Sequence, residues 1–233
     1  MRERLDLLSY VRAVPVLGRN MGVVAAPLAG MLIVIALAWL NHPLFDQVGG
    51  AGDPITGLLA NLAQGFAFGI AVIFADDAWR HGRGHLSSSW DGARSRAANI
   101  LIASLGFFFL LYVAGMIGAI LPVPYLALAL QAIAVWAFIY AIPAAAIGGI
   151  PGGAVFSQSL QTARRNPVAT ALLVIVCAIV YIGLTGYALA ALAGSMNWAA
   201  RDAAQLVLGA LALGYIAVVI AKQYADFAFR PYR

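Results

Sequence analysis

The sequence predicts an all-α, polytopic integral membrane protein: six transmembrane helices arranged as three hairpins, each preceded by a short interfacial amphipathic helix. Three observations carry that prediction. The 233 residues are 63% hydrophobic and only 10% charged, with a mean hydropathy of +0.90, far from the roughly half-apolar, quarter-charged mixture of a soluble domain. Uncharged stretches lie near 21–40, 55–75, 97–121, 125–148, 168–193 and 203–221, each long enough for a ~30 Å hydrocarbon core, which takes about 18 residues or more. The cations, finally, are divided unevenly between alternate connections. The whole of 1–233 reads as one transmembrane domain.

The first span, in "GRNMGVVAAPLAGMLIVIALAWL", follows Arg2 and Arg4 in the manner of a signal peptide. Its apolar run begins only around Met21 and is too long for a signal core, so it is expected to remain as a span. The connection 41–54, "NHPLFDQVGGAGDP", follows. Span two carries Gly65 and Gly69 in a G-x-x-x-G, a spacing that lets helix backbones approach closely. "PVP" at 122–124 makes spans three and four a tight antiparallel hairpin. Pro143 and Gly148-Gly149 are expected to kink or end span four. Span five, in "ARRNPVATALLVIVCAIVYIGL", holds the lone Cys177, which has no intrachain disulfide partner, and Gly183 and Gly186, which lighten one side for close packing.

Orientation follows from Lys and Arg, which short connections retain on the cytoplasmic side. The N-terminal segment has Arg2, Arg4, Arg12 and Arg19; the 76–96 connection has Arg80, Arg83, Arg94 and Arg96; the next has Arg164 and Arg165; the tail has Lys222, Arg230 and Arg233. On the other side only Arg201 is present. Both termini are therefore expected in the cytoplasm. The net charge of +5 and pI near 9.7 describe a basic inner face turned to anionic headgroups. Cations scattered over four short segments make no nucleic-acid-binding patch.

Asn20, Asn99 and Asn166 each stand at the start of an odd-numbered span, with arginine close before them. A short segment with polar and apolar residues at helical spacing precedes each, which reads as a threefold hairpin repeat over 1–75, 86–148 and 154–222. The first N–H groups of a membrane helix need acceptors, so the three asparagines are expected to act as N-caps, with Pro167 fitting the first helical position after Asn166. Ser88 and Asp91 in "SSSWD" have capping-box spacing. Arg19, Arg94, Arg96, Arg164 and Arg165 are the expected lipid-headgroup contacts, their stems apolar and their guanidinium groups reaching phosphate.

No ionisable group lies in the middle of any span, which argues against proton-coupled pumping. Asn61, Gln64 and Gln131 are the conspicuous intramembrane polar residues; hydrogen bonding between helices is the plain reading and a small polar binding site the alternative. Asp77, His81 and His85 recur every four residues, and on one continuous helix they would share a face able to hold zinc. Gly82 and Gly84 interrupt that helix, so no metal site is assigned and these three remain remote candidates. "DGAR" at 91–94 lacks the spacing and the later aspartates of lipid-headgroup phosphotransferases. The serines have no G-x-S-x-G elbow, and no P-loop, dinucleotide fingerprint, C-x-x-C or haem motif is present. No catalytic residue and no cofactor is assigned.

The stretches "RHGRGHLSSSWDGARSRAANILIA" and "AVFSQSLQTARRNPVATALLVIV" combine a glycine-containing turn, serines and a basic amphipathic helix before a span. In this the chain resembles the bacterial six-helix membrane proteins related to the membrane domain of glycerophosphoryl diester phosphodiesterases, together with similar uncharacterised families. The resemblance runs through nearly the whole chain. It implies architecture, a bacterial inner-membrane location and an accessory role, and no phosphodiesterase activity, which in fused members resides in a separate soluble barrel that this sequence does not contain. The expected function is that of a non-enzymatic accessory or structural subunit, or lipid-organising partner, of a membrane complex, with anionic lipids and other membrane subunits as partners. The alternative is a carrier or flippase for a lipid or apolar small molecule; a membrane-bound metal hydrolase is third.

Overall fold

A computed structural model of the chain describes residues 6–45, 52–120, 123–188, 190, 194 and 198–228. Those residues form helices α1 (Leu8–Arg19), α2 (Gly22–Phe45), α3 (Gly52–His81), α4 (Leu86–Ser95), α5 (Ala97–Ile120), α6 (Leu126–Phe138), α7 (Ala141–Ala146), α8 (Ala154–Arg165) and α9 (Pro167–Ile182), then a π-helical turn at Gly183–Ala188 and α10 (Trp198–Ala228), with no strand among them. Five helical segments are long and apolar enough to cross a membrane: Ile55–His81, Ala97–Ile120, Leu126–Ala146, Pro167–Gly186 and Ala203–Ala228. A sixth arises if α1 and the start of α2, bent by 82° at their junction, count together. This is a multi-pass helical membrane protein.

The main differences from the expected boundaries lie at helix ends. Most of the 41–54 connection is helical at its edges, with α2 reaching Phe45 and α3 starting at Gly52, while 46–51 lies outside the described residues. Span two continues past 75 to His81. Span four breaks at Ile139-Tyr140, before Pro143 rather than at it. The proline ring crowds the carbonyl four residues earlier and offers it no N–H, so the disturbance appears one turn towards the N-terminus. Ser159 of α8 repairs the break: its Oγ accepts from Tyr140 N at 3.2 Å and donates to Ala137 O at 2.9 Å, fully buried.

Three amphipathic helices, α1, α4 and α8, each end in a break of one or two residues before a long apolar helix. The break residues are Asn20 (φ −129°, ψ 48°), Arg96 (φ −115°, ψ 16°) and Asn166 (φ −135°, ψ 60°), and each N–H closes back on the carbonyl three residues earlier. The counterpart of Asn20 and Asn166 is thus Arg96, whereas Asn99 lies inside α5. The segments leading into α5 and α9 share features at a constant offset of 70 residues: Gly82 and Gly152 both have positive φ, Ser89 and Ser159 are both buried, and Arg96 and Asn166 both form breaks.

Small residues set how the long helices meet. A Cβ on Gly65 would fall 2.2 Å from Ser104 Oγ, and one on Gly69 2.7 Å from Ile100, so the G-x-x-x-G face of α3 lies directly on α5. A Cβ on Gly118 would come within 2.1 Å of Ala127, which holds α5 and α6 together beside their short turn. At Gly183 and Gly186, both in the π turn, an added Cβ would meet no described residue within 4 Å at the first and only Ile182, at 3.7 Å, at the second.

Ser159→Ala would strand the Tyr140 N–H and the Ala137 carbonyl in a dry setting, a loss of about 1–3 kcal/mol. The expected result is a clearly lower melting temperature for the purified protein in mild detergent, with helical content by circular dichroism unchanged at low temperature. Melting equal to wild type would mean that the break is not repaired by this serine.

Candidate functional site

The helix breaks gather at one end of the bundle, tied by long-range hydrogen bonds. Asn20 donates from Nδ2 to Val16 O (3.0 Å) and to Gly82 O (3.3 Å), and its Oδ1 accepts from Gly84 N (3.0 Å). One unit later Asn99 does a similar job, accepting from Gly152 N at 3.2 Å. Each asparagine therefore fixes the glycine turn that launches the next amphipathic helix. Gly82 (φ 78°) and Gly152 (φ 51°) need that freedom, being in the left-handed region that other residues enter at a cost.

The cap assignments read from the sequence change accordingly. None of the asparagine side chains caps the long helix after it. Asn166 Nδ2 donates back to Thr162 O at 3.2 Å, closing α8, and α9 begins with no side-chain cap bond. Pro167 removes one of the N–H groups that would have called for an acceptor. Ser88 forms no capping box, because α4 starts earlier, at Leu86, and Ser88 Oγ donates to His85 O at 3.0 Å.

Most of the cations among the described residues collect at this end. Arg80 pairs with Asp76 at 2.8 Å and Lys222 with Asp226 at 2.6 Å, both one helical turn apart. Arg96 turns inward, its Nη1 donating to Ala146 O at the end of α7, so it is engaged in joining α5 to α7. Arg19, Arg94, Arg164 and Arg165 are exposed and make no ion pair with described residues. Arg19 and Arg83 line a surface pocket of about 580 Å³ with His85 and Ser87. Arg201, near the start of α10, is the exception at the far end.

Beneath the breaks a buried polar chain crosses the bundle. Gln223 of α10 donates from Nε2 to Tyr10 Oη (2.6 Å) and accepts at Oε1 from Tyr140 Oη (3.2 Å), which lies 3.3 Å from Thr170 Oγ1; Thr170 in turn donates to Asn166 O (2.8 Å). Tyr215 Oη donates to Tyr10 O at 3.1 Å. This chain joins α1, α10, the break in span four and α9. Its one mark in the sequence is a polar residue, Gln223, at the end of a long apolar run; no local pattern marks its tyrosines.

The metal candidates are not brought together. His81 Nδ1 stands 3.9 Å from Asp77 Oδ1, but Gly82 turns the chain out of α3, and His85 belongs to the start of α4. No group of three potential metal ligands forms among the described residues.

Farther from the cationic end the bundle opens around a cavity of about 1050 Å³. Every long helix contributes to its wall, with Trp39, Phe68, Phe107, Phe138 and Tyr181 among the aromatic and Asn61, Gln64, Thr185 and Gln205 as the polar lining. Among the described residues no charged side chain lines it. Asn61 and Gln64 meet here as their spacing on α3 implies. Gln131 does not, its Nε2 lying instead against Gly115 of α5.

Comparison with protein-family models, with curated proteins and with solved structures finds no match to this chain. Asn20→Ala removes three bonds, two of them to the Gly82–Gly84 turn, and is expected to destabilise the protein by roughly 1–3 kcal/mol, more than Asn166→Ala, which removes one bond within a single helix end. Thermal melts of the two variants in the same detergent test that order; equal melting temperatures would contradict it.

Proposed function

We propose that this chain is a non-enzymatic, six-span protein of a bacterial inner membrane that organises anionic lipid around an accessory or structural subunit of a membrane complex. The observation that carries the reading is the collection, at one end of an otherwise apolar bundle, of exposed arginines with no ion pair among the described residues. Cations retained on one side of short connections mark the cytoplasmic face, so both termini are assigned there. The anionic leaflet then meets Arg19, Arg94, Arg164 and Arg165, with Arg19, Arg83 and His85 lining a surface pocket beside them.

The three amphipathic helices are read as interfacial and the long helices as three hairpins. Support comes from α1, whose inner face (Ser9, Tyr10, Ala13) is buried while Leu8, Val11 and Val14 are exposed on the outside. An apolar stripe beside Arg12 and Arg19, on a helix bent 82° from the one that follows, suits a helix lying in the headgroup layer. The threefold repeat and the kinship with six-helix bacterial membrane proteins belong to the same proposal, resting on the shared break geometry and on the glycine, serine and arginine pattern before spans three and five.

The test is the paired reversal Arg164→Glu with Arg165→Glu. Each basic residue near an anionic surface contributes about 1 kcal/mol, so retention of phosphatidylglycerol over phosphatidylcholine by the purified protein should fall by about tenfold or more. Wild-type lipid preference together with unaltered topology of span five would sink the reading. The cavity favours a second one, a carrier for a lipid or apolar small molecule. Movement of labelled lipid in liposomes holding the purified protein alone would select it.

A further inference from the structure

Two chain turns meet at the cationic end, and one aromatic ring seats both. Phe74 of α3 is almost fully buried. A Cβ on Gly22, at the start of α2, would stand 3.0 Å from its ring; one on Gly84, in the α3–α4 turn, would stand 2.5 Å from the ring and 2.6 Å from the Phe74 carbonyl oxygen. Asn20 fastens the same turns, accepting from Gly84 N at 3.0 Å and donating to Gly82 O at 3.3 Å. The starts of α2 and α4 are thereby held side by side around the pocket of about 580 Å³.

That pocket is one-sided in charge. Arg19 and Arg83 bring two guanidinium groups, His85 an imidazole and Ser87 a hydroxyl, and among the described residues no carboxylate lines it. Neither arginine, nor the Ser87 hydroxyl, has an ion pair or hydrogen bond with a described residue. Asp76 and Asp77, near the end of α3, face Arg80 and His81 instead. Backbone donors add to the set. The first helical bonds are donated by Val23 and by Ser89, so the amides of Met21, Gly22, Leu86 and Ser87, all lining residues, have no backbone acceptor among the described residues. Helix starts favour an anion, and the two arginines set how much charge it should carry.

We propose that the pocket between the α1–α2 break and the α3–α4 turn binds a phosphate monoester. Two permanent cations match its charge of about −1.5 to −2, whereas a phosphodiester brings a single negative charge. Its three terminal oxygens take more donors than the two free oxygens of a diester, and the guanidinium fork fits phosphate in a bidentate fashion. The pocket volume, about 580 Å³, lies within the ~300–1,000 Å³ of small-molecule sites. Met21 and Leu86, each about half exposed, give the carbon part of the ester an apolar wall. A lipid with a monoester headgroup and a soluble glycerol phosphate share this chemistry.

The lipid form of this inference rests on the anionic-lipid reading and deepens it, giving one headgroup class a defined place. The test uses the full chain in mild detergent at about pH 8, above the second phosphate ionisation near 6, with native mass spectrometry. One arm compares dioleoyl phosphatidic acid with dioleoyl phosphatidylglycerol, a monoester and a diester of matched chains. The other compares glycerol 3-phosphate with its diester, glycerophosphoglycerol. In at least one arm wild type should prefer the monoester by about tenfold, the order expected from one additional charge-assisted hydrogen bond, and the arm that shows it names the source. Arg83→Gln should abolish the preference without lowering the melting temperature, since Arg83 makes no bond to a described residue. Arg83→Lys, which keeps the charge and loses the fork, should retain part of it. The Arg164→Glu, Arg165→Glu variant should keep the monoester preference whether or not it still selects phosphatidylglycerol over phosphatidylcholine, so the two readings fail separately. No monoester preference in either arm, or a preference that survives Arg83→Gln, overturns the proposal.

Discussion

Breaking a helix inside an apolar bundle exposes backbone N–H and C=O groups where water is scarce, and the need to pair them governs the rest of this fold. Four breaks occur, at Asn20, Arg96, Ile139-Tyr140 and Asn166, and polar side chains attend each one. Asn20 reaches across to the Gly82–Gly84 turn, Arg96 to the end of α7, Ser159 to both sides of the span-four break, and Thr170 to the Asn166 carbonyl. Because most of these bonds join distant parts of the chain, satisfying local backbone needs also locks the helices together. The tight core follows from that, with Ala71, Ala75, Ala141, Ala145, Ala217 and Ala221 buried at the same end.

The sequence made the class and the spans legible because both depend on composition over long windows. The cationic end was legible for the same reason: arginine placement is a local property of each connection. What was not legible was which groups the polar residues serve. Asn166 next to Pro167 looks like an N-cap, and only the geometry of the break shows its amide turned back to Thr162. Asn99 looked equivalent to Asn20 by its place before a span, whereas the break conformation pairs Asn20 with Arg96. The Tyr10–Gln223–Tyr140 chain depends on residues far apart along the polypeptide, and periodicity carries no information about such contacts.

Packing differs along the bundle. At the cationic end buried alanines let helices approach until hydrogen bonds form between them. Towards the other end Gly118 still brings α5 directly onto Ala127 of α6, while the long helices together surround the cavity, with the π turn in its wall.

The face of α3 that meets α5 fixes where Gln64 must point. Gly65 and Gly69 lie against Ser104 and Ile100, so their side of the helix is committed to that contact. A residue one step earlier is rotated by about 100°, which carries Gln64 off the seam, with Asn61 three residues before it on the same side. The small-residue spacing in span two does more than hold two helices close: it sets the rotation of α3, and that rotation turns Gln64 away from the α5 seam towards α2, where a Cβ on Gly30 would come 3.0 Å from its Oε1.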